Sequence, residues 1–341
     1  MNNMQSNPSL RFFNTFENEI LSVRNELFHQ LEQMTPEFSV EVRNLFEYKL
    51  KNNDNKPPLG ELFPWIIKDL INLDTQLTKN ISVSWFAVYL YTLFLDEYVD
   101  YKKPIKSEML LAGSVLAKIG FMNLSKIVKG TEYEAIVDEA LNESVLYQLR
   151  DVQKQKTNES IIEKEEYSLG KNKVILACAG ALAASSSKHQ EFIIKFTNSL
   201  LLSLQYLDDI TDFEEDFYNE NYTVLLHNMT DIKTKFLLTK ASKSSYRILL
   251  SQLIINGSLE RVTAKLNQLL SNSVILIEQL SEKRLESLNS YILFITLKHS
   301  INTLNNLLNH EAKIFQELPK HKQEIILDKV EQHIKYIAQS T

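Results

Sequence analysis

Cysteine occurs once in the 341 residues, at position 178 inside an apolar run. A single thiol excludes a disulfide framework and a cysteine-built zinc site, and it fits a reducing, cytoplasmic setting. Glycine and proline number only seven each. The prolines stand at 8, 36, 57, 58, 64, 104 and 319, so more than two hundred consecutive residues lack one. Sandwiches, barrels and Rossmann domains use both residues at frequent turns, so this scarcity argues against all three and for a helical protein. A surplus of positive charge is missing as well. The net charge is −6, arginine supplies seven of the 37 bases, and no basic stripe is present, which argues against nucleic acid as a partner. The N-terminal MNNMQSNPSLRFF has no apolar core suited to a signal peptide. The uncharged apolar stretch from Trp85 to Leu95 is eleven residues, too short to span a bilayer, so stable membrane insertion is not expected.

What is present is amphipathic periodicity. Hydrophobic residues at 44% and charged residues at 23% describe a soluble chain able to bury a core. Phe16, Ile20, Leu27 and Leu31 recur at helical spacing. Pro36 then opens a second segment carrying Val40, Val42, Leu45 and Phe46. Asn52 to Leu59 (NNDNKPPL) reads as a loop. Further helices are predicted over 61–72, 80–101, 106–127, 131–154, 158–187, 188–218, 231–256, 258–281, 284–310 and 320–338. Lengths of this order suit an antiparallel bundle, and no repeat of 30 to 50 residues suggests a solenoid. No linker splits the chain. The expectation is one all-α domain over 1–341, a helical bundle around a central apolar cavity, with 1–55 as peripheral N-terminal helices and 60–225 carrying the motifs.

Two acidic clusters follow apolar helices. The first is Asp96-Glu97-Tyr98-Val99-Asp100, after WFAVYLYTLFL. Asp96 and Asp100 lie one turn apart on one face, at the end of a segment greasy on all sides, which predicts carboxylates at the rim of a cavity. The second runs from Gln205 to Asp216, where Asp208, Asp212 and Asp216 form an i, i+4, i+8 ladder. Like charges at that spacing cost roughly 0.2–0.5 kcal/mol per pair in a bare helix. Cations between the carboxylates would relieve the repulsion, and hard oxygen ligands at this density suit Mg²⁺. One such pair arises readily by chance on a solvated face; two, each abutting an apolar helix, are less easily dismissed. The absence of a loop glycine excludes an EF-hand, and the absence of Glu-x-x-His pairs excludes a di-iron bundle.

Taken together the clusters resemble those of class I isoprenoid synthases, the all-α superfamily of trans-prenyltransferases, squalene and phytoene synthases, and terpene cyclases. Asp96-Glu97-x-x-Asp100 is similar to the first Asp-rich motif, DDxxD or DExxD. Gln205-x-x-Asp208-Asp209-x-x-Asp212 resembles the second, FQxxDDxxD. Glu215-Asp216 and Tyr222 echo the squalene/phytoene synthase version. Gly170-Lys171-Asn172, 37 residues before Asp208 and followed by VILACAGALAA, resembles the segment whose lysine grips diphosphate.

That resemblance implies a catalytic set of Asp96, Asp100, Asp208 and Asp212. It further implies about three Mg²⁺ held by those four and Asp216, with Asp209 and Glu97 in supporting or partial roles. Lys171 would bind diphosphate, with Arg150 as a weaker candidate. Trp85, Phe86 and Tyr89 would flank a prenyl tail, Tyr91 and Thr92 would set its length, and Gln205 would join the pocket. Lys335-Tyr336 would cap the closed site. The expected partners are a prenyl diphosphate substrate and, as an option, a second copy of the chain in a homodimer.

Departures from the family pattern bear on the reaction. Chain-elongating prenyltransferases carry a GKxxR segment and an Arg pair after the first motif, to hold a second diphosphate. Here the corresponding residues are Asn55-Lys56-Pro57-Pro58 and Lys102-Lys103, and lysine does not reproduce a bidentate fork. Asn219-Glu220-Asn221 stands where a lysine usually follows the second motif. These substitutions favour ionisation and cyclisation of one prenyl diphosphate, as in a terpene synthase. The alternatives are an isoprenyl diphosphate synthase, by elongation or head-to-head condensation, and a non-catalytic helical partner keeping the fold.

Overall fold

The computed structural model describes residues 8–34, 36–52, 58–101, 107–154, 161–218, 223–226, 242–280, 285 and 288–340. Fourteen α-helices and no strand occur among them. The residues cluster into two compact units, each assembled from segments far apart in the chain, so no single cut separates them.

The first unit holds 1–145, 173–197 and 287–290. Helix α1 (Pro8–Met34) buries Phe12, Phe16, Ile20, Val23, Leu27 and Leu31, the stripe its periodicity predicts. Helix α2 (Pro36–Asn52) follows and is tied back to α1 where Ser39 Oγ donates to the Phe28 carbonyl at 3.1 Å. Both helices are integral to this unit, since Phe28 and Phe46 meet the edge of Phe86 at 6.2 and 5.1 Å. Helix α3 (Leu59–Ile71) is apolar nearly all round and correspondingly buried. Pro64 sits inside it and cannot donate to the Gly60 carbonyl four residues earlier. The indole N–H of Trp85 fills that vacancy at 2.7 Å.

Helix α4 (Thr75–Tyr101) starts at Asp74, whose Oδ1 caps the Leu77 N–H at 2.8 Å. It packs tightly on helix α5 (Ser107–Val128) at Gly120. A Cβ there would lie 2.5 Å from Val88 Cγ2 and 2.7 Å from the Ser84 carbonyl oxygen. Within α5, Leu111–Val128 is long and apolar enough to cross a membrane by length and composition, but one face packs on α4 as a bundle helix does. Helix α6 (Glu134–Lys154) begins in this unit. Helix α8 (Ile175–Ala184), made of small residues, packs on α3, α4 and α5. It carries Cys178, which is wholly buried, and burial pushes its thiol well above the ordinary range.

The second unit holds 146–172, 198–286 and 291–341. Helix α7 (Ile161–Asn172) precedes the α8 segment, and helix α9 (Gln190–Thr211) runs on into helix α10 (Phe213–Tyr218). A single helix over 158–187 is therefore corrected. Through Lys173 and Val174 the chain tightens to i→i+3 bonds, Leu176 N–H to Lys173 O at 2.8 Å and Ala177 N–H to Val174 O at 3.1 Å. The helix predicted over 188–218 is likewise interrupted, at Asp212. Helices α11 (Lys243–Ile255) and α12 (Ser258–Glu278) are joined through Gly257 at φ +70° and pack together. Ser242 and Ser245 form a capping box at the start of α11. The last two helices are α13 (Asn289–Phe315), which outruns the predicted end at 310, and α14 (Lys320–Ser340). Residues 231–241 of the predicted 231–256 helix lie outside the described residues.

Candidate functional site

The second acidic cluster occupies the α9–α10 junction. Although the helix is interrupted at Asp212, the backbone register continues. Asp212 N–H donates to Asp208 O at 2.9 Å, and Asp216 N–H donates to Asp212 O at 2.8 Å. The three carboxylates of the ladder therefore stay one turn apart, as the sequence predicts. A neighbouring face of α10, about 100° round the helix from the ladder, is anchored. Phe213 and Phe217 are buried, with their rings 5.8 and 5.7 Å from that of Tyr246 on α11. Aromatic packing beside the ladder thus fixes its C-terminal half, and Asp208 and Asp212 keep contact with solvent.

Electrostatics mark the same residues. Burial, then the negative charges of Asp212, Asp209 and Asp216, push the Asp208 carboxyl well above the ordinary carboxylate range, while Lys171 pulls it back. Asp208 keeps solvent contact, so the like charges are the part of this push that a cation would remove. Asp212 is also raised, by burial and then by Glu215, against hydrogen bonds with Thr211 and Asp208. Lys171, half-buried in the last turn of α7, belongs to the same unit and acts electrostatically on Asp208.

Asp209 turns the other way. It is buried, and its Oδ1 accepts from Gln205 Nε2 at 2.6 Å. Its Oδ2 accepts from the Val224 N–H at 2.6 Å. Both carboxylate oxygens are thereby engaged, Oδ1 within α9 and Oδ2 in pinning the buried turn Thr223–Leu226. Gln205, expected in the pocket, is the half-buried side chain that orients Asp209.

The predicted tail-flanking row on α4 divides along the helix, its earlier residues more buried than its later ones. Trp85 and Phe86 are buried in side-chain packing, Trp85 bonded to Gly60 and Phe86 edged by Phe28 and Phe46. Tyr89, Tyr91 and Thr92 are half-buried. Tyr89 fills the space a side chain at Gly60 would need, Tyr91 rests near Gly113, and Thr92 Oγ1 donates to the Tyr89 carbonyl at 2.7 Å. Burial raises the Tyr91 phenol. The side chains of Asp96, Glu97, Asp100 and Arg150 lie outside the described residues, as do Lys102 and Lys103. Tyr336 is on the exposed side of α14.

Sequence reasoning singled out neither Glu165 nor the role of Tyr206. Tyr206 Oη donates to Glu165 across 41 residues of chain, and Lys265 Nζ lies 3.7 Å from the same Glu165 oxygen. No periodicity or spacing signals a contact of that separation.

No family model and no curated protein matches the chain. Solved structures do match. A heptaprenyl diphosphate synthase from Staphylococcus aureus superposes with a TM-score of 0.65 at 16% identity, over 84% of this chain and 98% of that one. A decaprenyl diphosphate synthase from Rhodobacter capsulatus gives 0.64 at 11% identity, over 97% and 98%. A polyprenyl synthase from Caulobacter crescentus, complexed with calcium and isoprenyl diphosphate, gives 0.64 at 14% identity, over 83% and 96%. The chain therefore has the all-α isoprenoid synthase fold.

Proposed function

We propose that this chain is a Mg²⁺-dependent enzyme acting on an allylic prenyl diphosphate, and that its reaction is prenyl transfer with release of diphosphate. The observation carrying this reading is the Asp208–Asp212–Asp216 ladder, held one turn apart through the α9–α10 junction, where Asp208 is raised by burial and then by its like-charged neighbours and is pulled back by Lys171. The names of the structural neighbours support transfer over cyclisation.

The donor set fits magnesium. All the candidate ligands are hard carboxylate oxygens, and among the described residues no three His, Cys, Asp or Glu side chains come close enough to hold an ion by themselves. Magnesium is ordinarily held by one or two carboxylates together with substrate phosphates, so an open ladder is the expected form. Asp208 and Asp212 would hold the ion, with Asp216 one turn on. Bound there, magnesium would neutralise charge growing on the leaving diphosphate. Lys171 would donate to a diphosphate oxygen and hold it as the allylic C–O bond breaks. Asp209, next to Asp208, ties α9 to the turn Thr223–Leu226.

A second reading, cyclisation of a single prenyl diphosphate, is favoured by Lys102-Lys103 and Asn55-Lys56-Pro57-Pro58, which supply no arginine for a second diphosphate. The deciding experiment supplies geranyl, farnesyl and geranylgeranyl diphosphate singly, and then each with isopentenyl diphosphate. Longer diphosphates formed only with isopentenyl diphosphate establish transfer, and hydrocarbons from a single substrate establish cyclisation. No magnesium-dependent turnover under either condition, or turnover unchanged in Asp208→Ala, would refute the reading as a whole.

A further inference from the structure

Helix α7 is fastened to α9 at two points that bracket its C-terminal turns. Near the middle of α7, Glu165 accepts from Tyr206 Oη. At its end, Asn172 Nδ2 donates to the Leu201 carbonyl at 3.2 Å. The anchors are seven residues apart on α7, about two turns, and the catalytic candidates sit beside them. Lys171 adjoins Asn172, and Asp208 follows Tyr206 by two residues. Two further contacts brace the helix. Lys265 on α12 approaches the Glu165 oxygen that Tyr206 also uses. On the α6 side, Tyr147 Oη donates to Glu166 Oε1 at 3.1 Å, and the Tyr147 ring lies where a side chain on Gly170 would have to go.

A lysine ammonium rides on a flexible four-carbon stem, so it is aimed only as well as its helix is held. Misplacing a binding group by about an ångström can cost orders of magnitude in rate. We infer that Glu165 and Tyr206 form a positioning clamp that sets Lys171 against Asp208. On the functional reading above, on which this rests, the clamp fixes where the chain grips a diphosphate. Neither clamp residue touches the substrate; each acts through Lys171.

Tyr206→Phe removes the donor and keeps the ring. Glu165→Gln keeps an acceptor oxygen and drops the charge. Two measurements apply to the full chain: calorimetric binding of inorganic pyrophosphate with Mg²⁺, and amide hydrogen exchange over residues 161–172. Tyr206→Phe is expected to weaken pyrophosphate about tenfold and to speed exchange over 161–172 at an unchanged melting temperature. Glu165→Gln should keep most of the affinity. The double variant Tyr206→Phe/Lys171→Ala should bind no more weakly than Lys171→Ala alone, because the clamp acts through that lysine. Multiplying losses in the double variant, or affinity and exchange unchanged in Tyr206→Phe, overturn the clamp and leave the functional reading standing. Failure of the wild type to bind magnesium pyrophosphate overturns the functional reading. Exchange over 161–172 then still decides whether the clamp holds α7.

Discussion

The indole N–H of Trp85 donates to the carbonyl of Gly60 at 2.7 Å, in the place of the backbone N–H that Pro64 lacks. A helix-interior proline normally strands the carbonyl four residues before it, and here a side chain from the next helix satisfies it. Trp85→Phe should cost about 1–3 kcal/mol through the stranded carbonyl. Pro64→Ala restores the missing donor, so it should recover part of that loss in the Trp85→Phe background and stabilise less in the wild type. Urea unfolding of the four proteins tests this, and equal effects of Pro64→Ala in both backgrounds would break the link.

Arg24 and Glu61 make a two-pronged ion pair, Nε to Oε1 at 2.5 Å and Nη2 to Oε2 at 2.6 Å, with Glu61 almost fully buried. Removing one partner leaves an uncompensated buried charge, so Arg24→Met should destabilise by about 3–5 kcal/mol. The double variant Arg24→Met/Glu61→Leu should recover most of it, since a well-packed apolar pair is often as stable as a buried ionic one. Thermal or urea unfolding reads both.

Asp208 and Asp212 have folded-state pKa values raised above their ordinary 3.8. The folded state then binds more protons than the unfolded one, so stability falls as pH rises from about 4 through the raised values. In a chelator-treated sample the melting temperature should decline over that window, and Mg²⁺ at neutral pH should restore it. Asp212→Asn removes both like-charge pairs of the ladder and should stabilise the metal-free protein by roughly 0.4–1 kcal/mol. The same change should abolish magnesium-dependent turnover. A flat pH profile would show that the ladder is not under repulsion.

Asp209 is predicted to matter for stability more than its neighbours. Asp209→Ala leaves the buried Val224 N–H without its acceptor, at a cost of about 1–3 kcal/mol, and should raise exchange at Val224 selectively. Gln205→Ala, which removes one supporting bond, should cost about 1 kcal/mol. Equal losses at Asp208 and Asp209 in unfolding experiments would contradict the division of labour drawn between them.

The helical class is legible in the sequence because periodicity is local. Phe16, Ile20, Leu27 and Leu31 are all buried. Val40 fails the same pattern and is exposed, because it and Val42 stand about 200° apart on a helix and cannot share its buried face. The breaks at Lys173–Val174 and Asp212 carry neither glycine nor proline; they arise from hydrogen-bond geometry, which composition does not record. The ladder is legible for the same local reason that α1 is. Whether a ring on α4 packs or lines a cavity is not, since Phe86 is decided by Phe28 and Phe46, some 40 to 60 residues earlier. Glu165 with Tyr206 and Asp209 with Val224 are joined only by folding.

The sealed thiol of α8 has a practical corollary. With its one sulfhydryl shut away and disinclined to ionise, the native chain should ignore maleimides and iodoacetamides while folded. A cysteine introduced at an outward-facing site such as Val40 or Met122 would be the sole nucleophilic sulfur within reach. Fluorophores or spin probes could then be attached one at a time, without first engineering a thiol-free background.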